Sequence, residues 1–380
     1  LDSINIHKGL DDVVIKETTL SYIDGEAGKL YYVGYPIEDL AEHSSYEEVC
    51  FLLLYQRLPT QREFREFSAT LTSERELPRE FDNFIKTVPR NAPMMDVLKM
   101  CVDFLALYDE ELQVHEPGAN IRKAIRLTAK IPTAIARAYR HKAGLPEIRP
   151  LEDLSHAANF LYMVTGEKPD SLASKIMDVS FILHAEHELP ASSTAALVVA
   201  STLSDLYSAI SAGIGALKGP LHGGANERAL EMLLSIGNPE KASEYVKKVL
   251  SSGGKIMGFG HRVYKSYDPR ARILKRYLEM LCQRKGDYRL LEIANWVEDA
   301  VRAELVGKPV FPNIDLYSGA VFHMLGMSTE LFTPLFAAAR TIGWSSHVIE
   351  YWMNNRLIRP RAHYLGPEPR KYVPLELRHE

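Results

Sequence analysis

The chain has 380 residues, 46% hydrophobic and 25% charged, and 45 Lys and Arg against 49 Asp and Glu give a net charge of −4. At roughly 150 residues per domain that length predicts two or three domains, and the composition excludes general disorder. Acids and bases mix along most of the sequence, which excludes a broad basic surface for nucleic acid and an acidic tail. The longest uncharged run, Leu189 to Ser204, carries Pro190 and several Ser and Thr residues. It falls short of the roughly 20 apolar residues that a membrane span needs. Leu1-Asp2-Ser3 opens no apolar signal core, and Cys50, Cys101 and Cys282 are scattered without a C-x-x-C pair. Both features predict a cytoplasmic protein with reduced core cysteines.

Strand signals are confined to Val13–Val33, where Leu30-Tyr31-Tyr32-Val33 before Gly34 suits a short hairpin. Helical periods dominate the rest. Leu98, Cys101, Val102 and Leu105 fall at i, i+3, i+4 and i+7, one face of a helix. From Pro190 to Leu217 the residues are small and apolar nearly all round, with Asp205 the lone charge. That predicts a helix, or a broken pair, buried on most sides. Ile273, Tyr277, Met280 and Leu281 form another stripe, as do Ile293, Trp296, Val297, Ala300 and Val301. The expected fold is therefore mainly α with a minor N-terminal β element. The character of the chain changes most sharply at Lys218-Gly219-Pro220 and changes back near Gly326. This predicts a small domain, 223–323, inserted into a discontinuous large domain made of 1–222 and 324–380. From Arg356 onward, basic residues and Pro360, Pro367, Pro369 and Pro374 read as an extended surface tail.

Four segments carry the polar chemistry. In His184-Ala185-Glu186-His187 the histidines can share a helix face, but the spacing fits no zinc motif. One structural and one ligand-binding histidine are expected, and no metal. In His222-Gly223-Gly224-Ala225-Asn226 the glycines let backbone approach a ligand. A helix opening there disfavours imidazolium, so His222 is either a helix-capping turn residue or a neutral donor to a developing oxyanion. The third segment, Gly253 to Arg270, holds Lys255, Gly258, Gly260, His261, Arg262 and Lys265 but matches neither a Walker loop nor G-x-G-x-x-G. It is either a loop wrapping a phosphorylated cofactor or a solvated loop with incidental charge, followed by Arg270 opening a helix to grip a carboxylate. In Lys308-Pro309-Val310-Phe311-Pro312-Asn313-Ile314-Asp315, apolar neighbours raise the basicity of Asp315 if it faces inward. The alternative is an N-cap for a helix at Tyr317. With no G-x-S-x-G and no Cys beside a His, the set fits enolisation of a thioester and attack on a polar carbonyl better than hydrolysis.

In order and approximate spacing, Gly-Pro-Leu-His222-Gly-Gly-Ala-Asn, Gly-Phe-Gly-His261-Arg with Asp-Pro-Arg270, and Pro-Asn-Ile-Asp315 resemble the signature of the citrate synthase family. Tyr32-Val33-Gly34-Tyr35-Pro36-Ile37-Glu38 and Ala339-Arg340-Thr341-Ile342-Gly343-Trp344 extend the resemblance over nearly the whole chain. It implies a helical two-domain acyltransferase with a closing cleft and no permanently bound cofactor. Acetyl-CoA, the cosubstrate, and oxaloacetate are joined to citrate, or propionyl-CoA takes the place of acetyl-CoA to give 2-methylcitrate. By the same implication Asp315 is the base, His222 stabilises the enol and His261 activates the oxaloacetate carbonyl. His187, Arg270 and Arg340 then bind oxaloacetate, and Arg359, in the tail, completes a neighbour's site in a homodimer. Lys255, Gly258, Gly260, Arg262, Lys308 and Asn313 are expected around CoA. Two readings from other classes are a metal hydrolase using His184, His187 and His222, and a non-catalytic helical scaffold.

Overall fold

Residues 6–10 and 13–378 are described by the computed structural model; the expectation drawn from Leu1-Asp2-Ser3 lies outside them. The β element comes first. Strands β1 (Ser21–Asp24), β2 (Lys29–Tyr32) and β3 (Tyr35–Pro36) form an antiparallel sheet in that order. Ser21 pairs with Tyr32, and Tyr31 with Pro36. Val33 and Gly34 take φ of 49° and 85° between β2 and β3, the left-handed pair that a two-residue hairpin favours.

Helices build the remainder. The first group is α1 (Ile37–His43), α2 (Tyr46–Tyr55), α3 (Gln61–Ser73), α4 (Phe81–Lys86), α5 (Met94–Ala106), α6 (Pro117–Ala143), α7 (His156–Thr165) and α8 (Ser171–Ala185). Then follow α9 (Ala191–Ser201), α10 (Leu206–Leu217), α11 (Ala225–Ile236), α12 (Ala242–Ser251), α13 (Pro269–Lys285), α14 (Arg289–Glu304), α15 (Asp315–Met324) and α16 (Phe332–Trp352). Leu98, Cys101, Val102 and Leu105 are buried as their spacing predicts. Two stripes differ in one member each: Met280 is 41% and Trp296 48% exposed. Leu274 and Leu278 on α13, and Leu290 and Ala294 on α14, are buried instead, so each stripe is rotated slightly from the position read from sequence.

The apolar stretch after Pro190 is the broken pair, α9 and α10. Leu203 takes φ of 63° at the break, and Asp205 caps α10 by accepting from Ser208 N at 2.8 Å. Burial is less complete than predicted, because Val198 and Leu203 stay exposed. Helix α16 is buried almost all round from Phe332 to Val348, and α6, α8, α9 and α10 pack against it. A second group, α11 to α15, packs largely within itself. Among the described residues no helix is long and apolar enough to cross a membrane.

The ends of three helices and one loop converge between the two groups. Helix α8 stops at Ala185, and Glu186 to Pro190 make the turn into α9. Loop 258–268 is bonded to 311–314 through Gly260 N to Phe311 O at 2.8 Å and Asn313 N to Gly258 O at 2.9 Å. The β1–β2 turn supports that loop, since Lys265 N and Ser266 Oγ donate to Gly25 O at 2.9 and 3.1 Å.

Candidate active site

His222 lies in the turn that ends in α11. Gly223 N donates to Leu217 O at 2.9 Å, and a Cβ on Gly223 would stand 2.4 Å from that oxygen and 2.8 Å from Thr333 Cγ2. Only glycine allows this close approach. His222 Nε2 lies 2.8 Å from Ser192 Oγ, which also accepts from Trp344 Nε1 at 3.2 Å. With Nε2 taken up by Ser192 Oγ, Nδ1 is the ring nitrogen left to face a ligand. Burial, with Arg340 nearby, lowers the His222 pKa to about 4, so the imidazole is neutral at pH 7.

His261 has its tautomer fixed by backbone. Val263 N and Tyr264 N donate to His261 Nδ1 at 3.0 and 3.2 Å, so the proton sits on Nε2 and that nitrogen is a donor. Burial and then Arg270 lower its pKa to about 4. The His187 ring is 5.2 Å from that of His261, and His187 Nε2 is 3.1 Å from Tyr264 OH. Burial holds His187 well below the usual histidine range.

Asp268 caps α13 by accepting from Arg270 N at 2.9 Å, and pairs with the Arg270 side chain through Nε at 3.1 Å and Nη2 at 2.9 Å. It also accepts from Ile314 N at 3.2 Å, joining Arg270 to the segment that carries Asp315. Arg340, on α16, donates from Nε to His184 O at 2.6 Å and leaves buried Nη1 without a partner. Asp315 is the first residue of α15; Ile314 holds the cap position and no side chain caps there. The capping alternative for Asp315 is thereby corrected. Burial, eased by Arg270 and reinforced by Asp268, raises its pKa to about 6.

Ring contacts and charge effects link His187 with His261, Arg270 and Arg340, Arg340 with His222, and Arg270 with Asp315. His184 turns away: its Nδ1 lies 2.7 Å from Ser180 O and its ring packs edge-on against Phe336. The described residues hold no group of three His, Cys, Asp or Glu side chains placed to share an ion, and the triad of the hydrolase reading does not assemble. Arg359 is exposed on the tail, one residue beyond Ile358, whose N–H donates to Ser201 Oγ at 3.0 Å.

The residues expected around CoA divide. Lys308 lines a groove of about 490 Å³ with Phe259, Lys265, Tyr267, Arg302 and Phe311. Lys255 and Arg262 are exposed on the loop and outside that lining. Gly258, at φ of 77°, lies under α15, where a Cβ would stand 2.7 Å from Leu316 Cα. Asn313 donates from Nδ2 to Gly260 O at 2.8 Å and accepts from Asp315 N at 3.0 Å. Both ends of that side chain, and the absence of one at Gly258, are used in holding the loop against α15. Sequence reasoning missed Ser192, Tyr264 and Trp344, and saw Asp268 only as a neighbour of Arg270. No motif marks Ser192, and the segment that ends in Trp344 gives that residue no role, because the contact between them depends on α9 and α16 meeting.

Fold and site together define a mainly helical enzyme class with one buried carboxylate of raised pKa among imidazoles of lowered pKa and two buried arginines. The family model described as citrate synthase, C-terminal domain, matches residues 9–361. Citrate synthase 2 of Bacillus subtilis is 45% identical over 372 residues, 98% of this chain and 99% of the relative. The crystal structure of citrate synthase from Pyrobaculum aerophilum, 48% identical, aligns with a TM-score of 0.93 over 98% of this chain and 95% of that one. A citrate synthase from Thermoplasma acidophilum, solved as a ternary complex with carboxymethyl coenzyme A and oxaloacetate, is 39% identical. Its TM-score is also 0.93, over 98% of this chain and 100% of that one. The chain belongs to the citrate synthase family.

Proposed function

We propose that the chain condenses acetyl-CoA with oxaloacetate and water to give citrate and CoA. The observation that carries this reading is Asp315, a carboxylate at the head of α15 whose pKa is raised to about 6 by burial. A base so tuned is largely ionised at pH 7 and basic enough to help remove a proton from carbon. Asp315 takes a methyl proton from acetyl-CoA, and the N–H of His222 stabilises the enol oxygen. The enol carbon attacks the ketone carbon of oxaloacetate while His261 Nε2–H protonates or polarises the carbonyl oxygen. Water then cleaves the citryl thioester and releases CoA. Arg270, Arg340 and His187 receive the two carboxylates, for which fixed guanidinium donors suit bidentate pairing.

Acetyl-CoA enters as a cosubstrate, and no cofactor stays bound. The groove at Lys308 suits its nucleotide end: Phe259, Tyr267 and Phe311 offer surfaces to a base, and Lys265, Arg302 and Lys308 offer charge to phosphates. A small domain of 223–323 closes on a large one of 1–222 and 324–380; the self-packing of α11 to α15 supports that division. Exposed Val198, Leu203, Met353 and Leu357 support a homodimer in which Arg359 reaches the neighbouring site. The buried free cysteines fit a cytoplasmic protein. The deciding experiment measures rates with acetyl-CoA and propionyl-CoA side by side, each with oxaloacetate. Acetyl-CoA is expected to win; one methylene is worth only about 1–3 kcal/mol in such a pocket. A strong preference for propionyl-CoA makes the protein a 2-methylcitrate synthase instead.

A further inference from the structure

Beneath the pocket runs a chain of buried polar groups that the reaction as described does not use. Glu186 is fully buried in the turn between α8 and α9, one residue before His187. Its Oε1 accepts from Ser21 Oγ at 2.9 Å and lies 2.8 Å from His347 Nε2. His347, also fully buried, has its other nitrogen 3.1 Å from Lys16 Nζ. An ammonium only donates, so His347 Nδ1 accepts and Nε2 carries the hydrogen given to Glu186. Lys16 in turn pairs with Glu350, which also accepts from Thr18 and Thr19. From the surface inward the groups are Glu350, Lys16, His347 and Glu186, each bonded to the next.

The inner end of this chain meets Arg340. Glu186 Oε2 is buried and has no partner, and neither has Arg340 Nη1. Both side chains crowd the same point of α16. A Cβ on Gly343 would stand 2.6 Å from Glu186 Oε2, 3.2 Å from Arg340 Cδ and 2.2 Å from Ala185 O. Gly343 is thus the residue that lets the Glu186 turn seat against Arg340. A buried carboxylate is costly unless a counter-charge offsets it, and against that burial both His347 and Arg340 act on Glu186 to hold its pKa below the usual glutamate range.

We infer that Glu186, held by His347, is a positioning residue for oxaloacetate: it is the standing counter-charge of Arg340 and aims that guanidinium and His187 at the incoming dianion. The inference rests on the reading of the pocket as an oxaloacetate site. Each of the two buried arginines has a carboxylate near it: Asp268 pairs with Arg270, and Glu186 lies beside Arg340. Asp268 makes a bidentate pair, whereas Glu186 Oε2 and Arg340 Nη1 are both buried and neither has a hydrogen-bond partner among the described residues.

The test is steady-state kinetics of the full-length enzyme on Glu186→Gln, His347→Leu and His347→Gln, with melting temperatures recorded beside them. Glu186→Gln keeps the shape and removes the charge, and should raise the oxaloacetate KM at least about tenfold while the acetyl-CoA KM stays within about threefold. His347→Leu should do the same. His347→Gln should restore near wild-type KM, because an amide can donate to Glu186 and accept from Lys16 as the imidazole does. If Glu186→Gln leaves the oxaloacetate KM within threefold, or moves both KM values and the melting temperature together, the positioning role fails while the activity stands. A wild-type enzyme that neither binds nor condenses oxaloacetate overturns both readings at once.

Discussion

In the proposed reaction Asp315 is the base, and a carboxylate serves as one near neutral pH only where something keeps it from ionising too easily, which here is burial beside Ile314 and Leu316. Because its pKa is raised to about 6, the active ionised form is lost as pH falls through that value. His222 and His261, both lowered to about 4 by burial first, stay neutral across the same window. The rising limb of kcat/KM for the free enzyme should therefore have a midpoint near pH 6 and report Asp315 alone. Asp315→Asn should keep the fold and oxaloacetate binding but lose at least about 10²-fold in turnover. Near-normal turnover with an unchanged pH limb would remove Asp315 from the role. The apolar neighbours of Asp315 were legible in sequence, and with them the direction of its shift. The Ser192 contact of His222 and the tautomer of His261 were not, since they depend on a residue some 30 positions away and on two backbone N–H groups of one turn.

Among the elements, the seam between loop 258–268 and the start of α15 matters most, because Asp315 is placed by it. Gly258 sits at φ of 77° with Leu316 Cα 2.7 Å from where a Cβ would lie; Gly260, at φ of 78°, has open space around that position. The two glycines look alike in sequence but carry different loads. Gly260→Ala should cost about 1 kcal/mol, the backbone penalty alone. Gly258→Ala adds an overpacking cost and should lose about 2–4 kcal/mol, with a fall in kcat as the head of α15 is pushed away. Urea denaturation of both variants checks this, and equal losses would mean that the seam yields. Sequence periodicity found the helices readily because burial stripes repeat locally, as at Leu98 to Leu105. It mistook Met280 and Trp296 for core because a stripe read over two turns leaves its rotation loosely fixed. It also missed that the turn at Gly25 braces the His261 loop, a contact joining residues more than two hundred positions apart.

For the whole molecule, the question is whether one chain holds a complete site. Within the chain, His187, His222, His261, Arg270, Asp315 and Arg340 gather from α8, α11, α13, α15, α16 and their loops. Arg359 does not: it is exposed on a tail held to the end of α9 through Ile358 and Ser201. Nearby, Asn355 Nδ2 and Trp352 Nε1 also donate to carbonyls at the end of that helix, at 3.1 and 2.9 Å, so the tail leaves the body beside exposed Val198 and Leu203. In a two-fold dimer joined through that apolar surface, an arm leaving there lies next to the partner. Complementation tests the arrangement. Arg359→Ala and Arg270→Ala should each be poorly active as homodimers, chiefly through weakened use of oxaloacetate. When the two are unfolded together and refolded, each mixed dimer has one site with Arg270 from one chain and Arg359 from the other. With random pairing, half the dimers are mixed and one of their two sites is whole, so activity should recover to about a quarter of wild type. If Arg359 serves its own chain, no mixed dimer contains a whole site and the mixture stays as inactive as its parts.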